Sequence, residues 1–129
     1  MKTTQIRSGN FVDFETVPYV VDTVTADGKL VVTAVHHDWK PEPASIAELK
    51  GLPIDDEWLR KNGFIKRNAF PYTFAKKLDD GREIVYDTMI HMLYFDDTYT
   101  EKAVPWPVMY VHQVQNACED MEWEMEFKC

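Results

Sequence analysis

Cysteine is nearly absent from this chain: Cys118 and Cys129 are the only two among 129 residues. They lack the Cys-x-x-Cys spacing of a zinc or redox site, and two thiols build no disulfide framework, so a reducing compartment is expected. Cys118 is followed by Glu119 and Asp120, whose negative charge opposes formation of a reactive thiolate. Glycine is also scarce. Its five copies are scattered singly, which excludes the glycine-rich loops that cradle dinucleotides and triphosphates. Basic residues are outnumbered, 14 Lys and Arg against 22 Asp and Glu, giving a net charge of −8 and a pI near 4.9. Nonspecific binding to nucleic acid needs cations to displace the counterions of phosphates, so direct nucleic-acid binding is not expected. Arg60, Lys61, Lys66 and Arg67 form a local basic cluster, which reads as solvated charge at a helix end. No apolar run approaches bilayer length, and the first seven residues lack the apolar stretch of a signal peptide. A cytoplasmic protein without a membrane partner is expected.

What is present suffices for one core. The chain is 45% hydrophobic and 13% aromatic, and its length is that of a common single domain, residues 1–129. The pattern predicts an α+β fold: an antiparallel sheet or partly open barrel of several short strands, with two short helices. Residues 11–14, 19–25 and 30–35 read as strands, with a turn at Ala26-Asp27-Gly28-Lys29. Pro41 and Pro43 make residues 36–45 a loop. Ser45 and Glu48 have the spacing of a capping box for one helical turn that Gly51 would end. Residues 53–63 read as a helix capped by Asp55, ended by Gly63 and anchored through Trp58. Residues 72–78 and 83–86 flank a second turn, Asp79-Asp80-Gly81-Arg82. Residues 88–95 are apolar on both alternating faces, which predicts a central strand ended at Asp96-Asp97-Thr98.

Trp106 lies between Pro105 and Pro107 in a stiff connector. Val111, Val114, Cys118 and Met121 then recur at helical spacing, with His112, Gln113, Gln115 and Asn116 on the other faces. Residues 121–127 change period. Met, Glu, Trp, Glu, Met, Glu and Phe alternate strictly, the repeat of a strand.

None of the candidate chemistry is decisive. His36 and His37 would point to opposite faces of a strand, so a metal site would need His91 or His112 brought in by the fold. Three of the four acidic pairs (Asp55-Asp56, Asp79-Asp80, Asp96-Asp97, Glu119-Asp120) fall at turns or a helix start, where aspartate has a local hydrogen-bonding role. No catalytic residue, metal or cofactor is therefore assigned. Trp39, Trp106 and Tyr110 could hold a small polar ligand between aromatic rings. Glu122, Glu124 and Glu126 make an acidic surface with a repeat of about 7 Å, close to the phosphate spacing of one DNA strand. The structural explanation preferred for them is charge that protects a sheet edge from aggregation.

Three segments together carry a resemblance: Ile6-Arg7-Ser8-Gly9-Asn10-Phe11-Val12, then Leu52-Pro53-Ile54-Asp55-Asp56-Glu57-Trp58-Leu59-Arg60-Lys61-Asn62-Gly63-Phe64, then Tyr110-Val111-His112-Gln113-Val114-Gln115-Asn116. In this order they resemble a group of small uncharacterised proteins encoded by phages and integrated elements of gut bacteria. Asp55 stands where that group usually has Thr as the helix cap. The loop at 36–45 and the acidic C-terminal run fit the group less well. The resemblance implies origin and context, not a reaction. It places His112 and Gln113 in the most distinctive motif, ahead of Trp106, Tyr110 and Trp39 as contacts for a ligand or partner. The expectation is a non-enzymatic binding or interaction protein of a phage or mobile element, with a host or phage protein as partner. The alternative is an antagonist of host defence that sequesters a small nucleotide or mimics DNA. The apolar surplus at Trp106, Met109 and residues 121–127 would permit a homo-oligomer.

Overall fold

A computed structural model describes residues 6–68, 72–97 and 100–129. Their class is α+β: two five-stranded antiparallel sheets, one of them curled into a half-barrel, with two α-helices. The chain divides into two compact units, residues 1–53, 110–127 and 129 in the first and residues 54–109 and 128 in the second.

The first unit begins with β1 (Phe11–Phe14), β2 (Val17–Val24), β3 (Lys29–Ala34), β4 (Glu42–Ser45) and β5 (Leu49–Gly51), ordered β4-β3-β2-β1-β5. Alternate positions of β1 to β3 point inward, so Val12, Phe14, Tyr19, Val21, Leu30 and Val32 form one apolar cluster with Ile6, Ala34, Ala44 and Leu49. Phe14 and Tyr19 meet edge to face at 5.2 Å, a favoured aromatic geometry. The β1–β2 hairpin turns on Glu15 and Thr16, both with positive φ (53° and 66°). This is the geometry of a tight primed turn, here without the Asn-Gly or Asp-Gly that usually marks one. The turn at residues 26–29 follows the sequence expectation, with Gly28 at φ 82°.

The loop expected over residues 36–45 is shorter than the prolines suggested, because its last four residues form β4. Pro43 pairs with Val31 there. The strand lies at the sheet edge, where a missing N–H disrupts no further ladder. Ser45 donates its backbone N–H to the Glu48 carboxylate at 2.9 Å, and a 3₁₀ turn follows at Ile46–Glu48. It ends at Leu49, which already begins β5, and not at Gly51.

The second α-helix of the chain, α2 (Val111–Asp120), completes this unit. The strand expected at residues 121–127 pairs with no strand among the described residues, and its first two residues belong to the helix end. Met121 caps the helix and Glu122 turns left-handed at φ 58°. The Glu122 N–H donates to Glu119 O and the Trp123 N–H to Cys118 O, each at 3.0 Å. These two bonds are the Schellman closure of a helix end. The residues that follow are in neither a helix nor a ladder among the described residues. Their alternation survives as orientation: Trp123 is buried, Met125 and Phe127 are half-buried, and Glu122, Glu124 and Glu126 are exposed. A repeat of two requires only an extended chain with one covered face; a ladder requires a partner strand as well.

The second unit opens with α1 (Asp56–Lys61). Asp55 caps it, accepting the Trp58 N–H at 2.8 Å, and Gly63 closes it at φ 85°. Trp58 and Leu59 are its buried residues. The sheet comprises β6 (Ile65–Lys66), β7 (Thr73–Lys77), β8 (Glu83–Asp87), β9 (Met92–Asp96) and β10 (Glu101–Ala103), ordered β10-β9-β8-β7-β6. The central strand is therefore β8, whose Ile84, Val85 and Tyr86 are all buried. Residues 88–95, read as that strand, start with a turn instead. Asp87 accepts the N–H groups of Met89 and Ile90, and His91 takes a positive φ of 57°, leaving Met89 and Ile90 exposed. Thr98, read as part of the turn ending that run, lies outside the described residues.

Candidate functional site

The side chains of α2 divide the first unit into two places of interest. At the start of the helix, Tyr110 N–H donates to the Gln113 side-chain oxygen at 3.0 Å. Gln113, a candidate contact, thus satisfies a backbone donor left over at the helix N-terminus. The helix start is held on β5: Val111 N–H donates to Leu52 O at 2.9 Å, and Pro53 and Tyr110 form an isolated bridge. Gly51 makes this approach feasible. A Cβ built there would lie 2.4 Å from Cγ of Tyr110.

His112, the other leading candidate, is not on an exposed face as its helical position suggested. It is 1% exposed, so the covered arc of the first turn extends beyond the Val111, Val114, Cys118 stripe. Its ring stacks on Tyr110 at 5.9 Å and 8°, and its Nδ1 is buried without a hydrogen-bond partner. Burial disfavours the charged ring, pushing the pKa down to about 4. A side chain so placed is a neutral packing residue at pH 7 and offers nothing to an external ligand.

Further along α2 an amide network joins the helix to the residues before β1. Gln115 accepts the Phe11 N–H at 2.9 Å and donates to Gly9 O at 3.0 Å. Its amide thereby occupies the edge of the chain just where β5 pairing stops, since β5 pairs only with Val12, Asp13 and Phe14. The buried Asn10 donates to the Asn116 side-chain oxygen at 2.8 Å and accepts the Arg7 N–H at 2.8 Å. Arg7 reaches Asp120 at 2.9 Å and Glu119 at 3.6 Å. Sequence reasoning left Asn10, Gln115 and Asn116 without roles. The available signal was complementarity: each carboxamide can both donate and accept, as an exposed strand edge requires.

Beside this network lies an open groove of about 610 Å³. One side is formed by residues 8–11, another by Gln115, Cys118 and Glu119 of α2, and the rest by residues 122–127. Glu119, Glu122, Glu124 and Glu126 are exposed carboxylates in its lining, Trp123, Met125 and Phe127 supply apolar surface, and none of its described lining residues is Lys, Arg or His. Cys118 is buried and Cys129 half-buried, and neither is in a disulfide.

The remaining candidates sit elsewhere. Trp39 is 50% exposed in the loop after β3 and stacks on His37 at 4.0 Å. Trp106 is 60% exposed in the second unit. The structure thus brings together Tyr110, His112 and Gln113, and separately the three glutamates, while Trp39 contributes to neither place. Among the described residues no three His, Cys, Asp or Glu side chains are grouped as metal ligands, and no helix is long and apolar enough to cross a membrane.

In the second unit Tyr86 donates to Val108 O at 2.6 Å. Its hydroxyl also lies 3.3 Å from Nδ1 of His91. Because the one tyrosine proton is committed to Val108, this contact requires the His91 Nδ1 to be the donor. Burial and then the nearby Asp87 push the Tyr86 pKa up to about 12. Asn62 is buried and clasps Lys128, donating to its carbonyl at 3.0 Å and accepting its N–H at 2.6 Å.

Compared with family models, curated proteins and solved structures, the chain matches none.

Proposed function

We propose that the chain is a non-enzymatic binding protein of a phage or mobile element, acting in the host-cell cytoplasm by holding another protein. The observation that carries this reading is the groove of the first unit, which combines several carboxylates with apolar surface and has no cation among its described lining residues. Such a lining repels phosphate and nucleotide ligands and attracts basic ones. Sequestration of a nucleotide, one form of the alternative, is disfavoured by it. DNA mimicry, the other form, keeps one supporting observation: Glu122, Glu124 and Glu126 are all exposed. That form also demands a basic protein as partner. The aromatic side chains exposed at Trp39 and Trp106 add apolar surface of the kind that protein partners cover.

The reading is tested by capturing partners on the immobilised chain from host-cell lysate, identifying them, and repeating the binding with each purified partner. A basic protein binding directly at micromolar or better Kd is expected. No direct binder, together with a rise in thermal stability on adding nucleotides, would overturn it.

A further inference from the structure

We infer that Asn62 is a deamidation site, converted to aspartate or isoaspartate, and that its contacts with Lys128 set the rate of conversion. Of the four asparagines, Asn10, Asn62, Asn68 and Asn116, only Asn62 precedes a glycine. The chemistry depends on that neighbour. The Gly63 nitrogen gives up its proton to base and bonds to Cγ of Asn62, the carboxamide nitrogen leaves as ammonia, and a cyclic imide forms. Water then opens the imide at either carbonyl, so that water is consumed and ammonia released with no oxidant or reductant. Glycine has no Cβ to hinder the approach of its nitrogen.

The fold keeps the two reacting groups apart. Ring closure requires Cβ of Asn62 and the Gly63 nitrogen to eclipse across the Cα–C bond, and at the ψ of 15° found here they are far from eclipsed. The peptide plane is fixed at both of its polar atoms: Gly63 N–H donates to Arg60 O at 3.1 Å, and Lys76 Nζ donates to Asn62 O at 2.7 Å. The carboxamide is fixed as well. It donates to Trp58 O at 2.9 Å and to Lys128 O at 3.0 Å, and it accepts the Lys128 N–H at 2.6 Å. Attack therefore needs a local opening that breaks these bonds. Lys128 supplies two of the three bonds to the carboxamide and is the distant partner, whereas Trp58 lies one turn back on α1. Release of Lys128 is the step that frees the electrophile.

Conversion runs one way. A carboxylate donates nothing, so Trp58 O and Lys128 O lose the carboxamide N–H and face negative charge at a site 5% exposed. Isoaspartate also adds a methylene to the main chain before Gly63, which displaces that residue from the left-handed closure of α1 at φ 85°. The clasp on Lys128 is loosened for good.

Peptide mapping by mass spectrometry, on the full chain held at mildly alkaline pH, tests the inference. In concentrated urea Asn62 should be the first asparagine converted, and folding should slow it by about tenfold or more. K128P removes the N–H that Asn62 accepts; checked by circular dichroism to be folded, it should raise the rate in the folded chain by about tenfold or more. G51A, a change in the first unit, should not. Another asparagine converted first in urea, no slowing on folding, a folded K128P with an unchanged rate, or G51A acting as strongly as K128P would each overturn the inference. The unaltered chain supplies a check that needs no variant: in sub-denaturing urea, hydrogen exchange at the Lys128 amide and conversion of Asn62 should rise in the same proportion, and unequal rises would overturn it too.

Discussion

Lowering the pH from 7 to 5 should cost the first unit about 2 kcal/mol through His112 alone. The ring is 1% exposed, its Nδ1 has no partner, and its pKa is pushed down to about 4 by burial. In the unfolded chain an ordinary histidine titrates near 6.5. Between these values the unfolded state binds the proton and the folded state does not, so stability rises with pH. The contribution is fully present above about pH 6.5 and is lost as pH falls toward 4. Integrating the two titrations gives a loss of roughly 2 kcal/mol by pH 5 and about 3 kcal/mol by pH 4. Urea unfolding followed by circular dichroism at both pH values measures it. Carboxylates titrate in the same range, so the informative quantity is the difference between the unaltered chain and His112→Phe, which keeps a ring beside Tyr110 and removes the titration. The variant should lose about 2 kcal/mol less on going from pH 7 to 5. Equal losses in the two proteins would refute the assignment of a buried neutral ring at this position.

Two further perturbations probe the same unit. Gly51→Ala places a Cβ 2.4 Å from the Tyr110 ring, and should destabilise by about 1–3 kcal/mol in urea unfolding; adding Tyr110→Ala should make the glycine change nearly silent, and an additive double variant would refute the contact. Gln115→Ala strips the Phe11 N–H and Gly9 O of their partner, at a cost of about 1–3 kcal/mol. Hydrogen exchange at the Phe11 amide should then accelerate, and unchanged protection there would show that the amide is held by something else.

Local rules carried much of the fold from the sequence. Asp55, Gly63, Gly28 and the Asp79-Asp80-Gly81-Arg82 turn each act through neighbours a few residues away, so composition alone exposed them. The failures occur where distant residues decide. The Glu15-Thr16 turn has no glycine or asparagine to announce it, and depends on the pairing of Phe14 with Val17. Pro43 looked like a loop residue because edge position is a property of the whole sheet. His112 lay off the apolar stripe of its helix, and a helical period alone does not show that a residue outside the stripe is covered. The groove was half legible: the three glutamates were singled out, but nothing local reveals that residues 8–11 line the same groove.

The motifs that carried the resemblance now divide by role. Gly9, Asn10, Gln115 and Asn116 form the amide network, Gln113 caps α2, and His112 packs, so these segments are explained by the demands of folding. The C-terminal run differs. At the end of α1, Gly63 takes the left-handed position at little cost; at the end of α2 the same position is held by Glu122, where a residue with a Cβ gives up about 1 kcal/mol. Trp123 offsets that cost by burying its ring and donating its N–H to Cys118 O, fixing the direction in which the chain leaves the helix. Glycine at 122 would close the helix equally well. What glutamate adds there is a carboxylate in the groove lining beside those of Glu124 and Glu126, and that is a contribution to a surface and not to the fold.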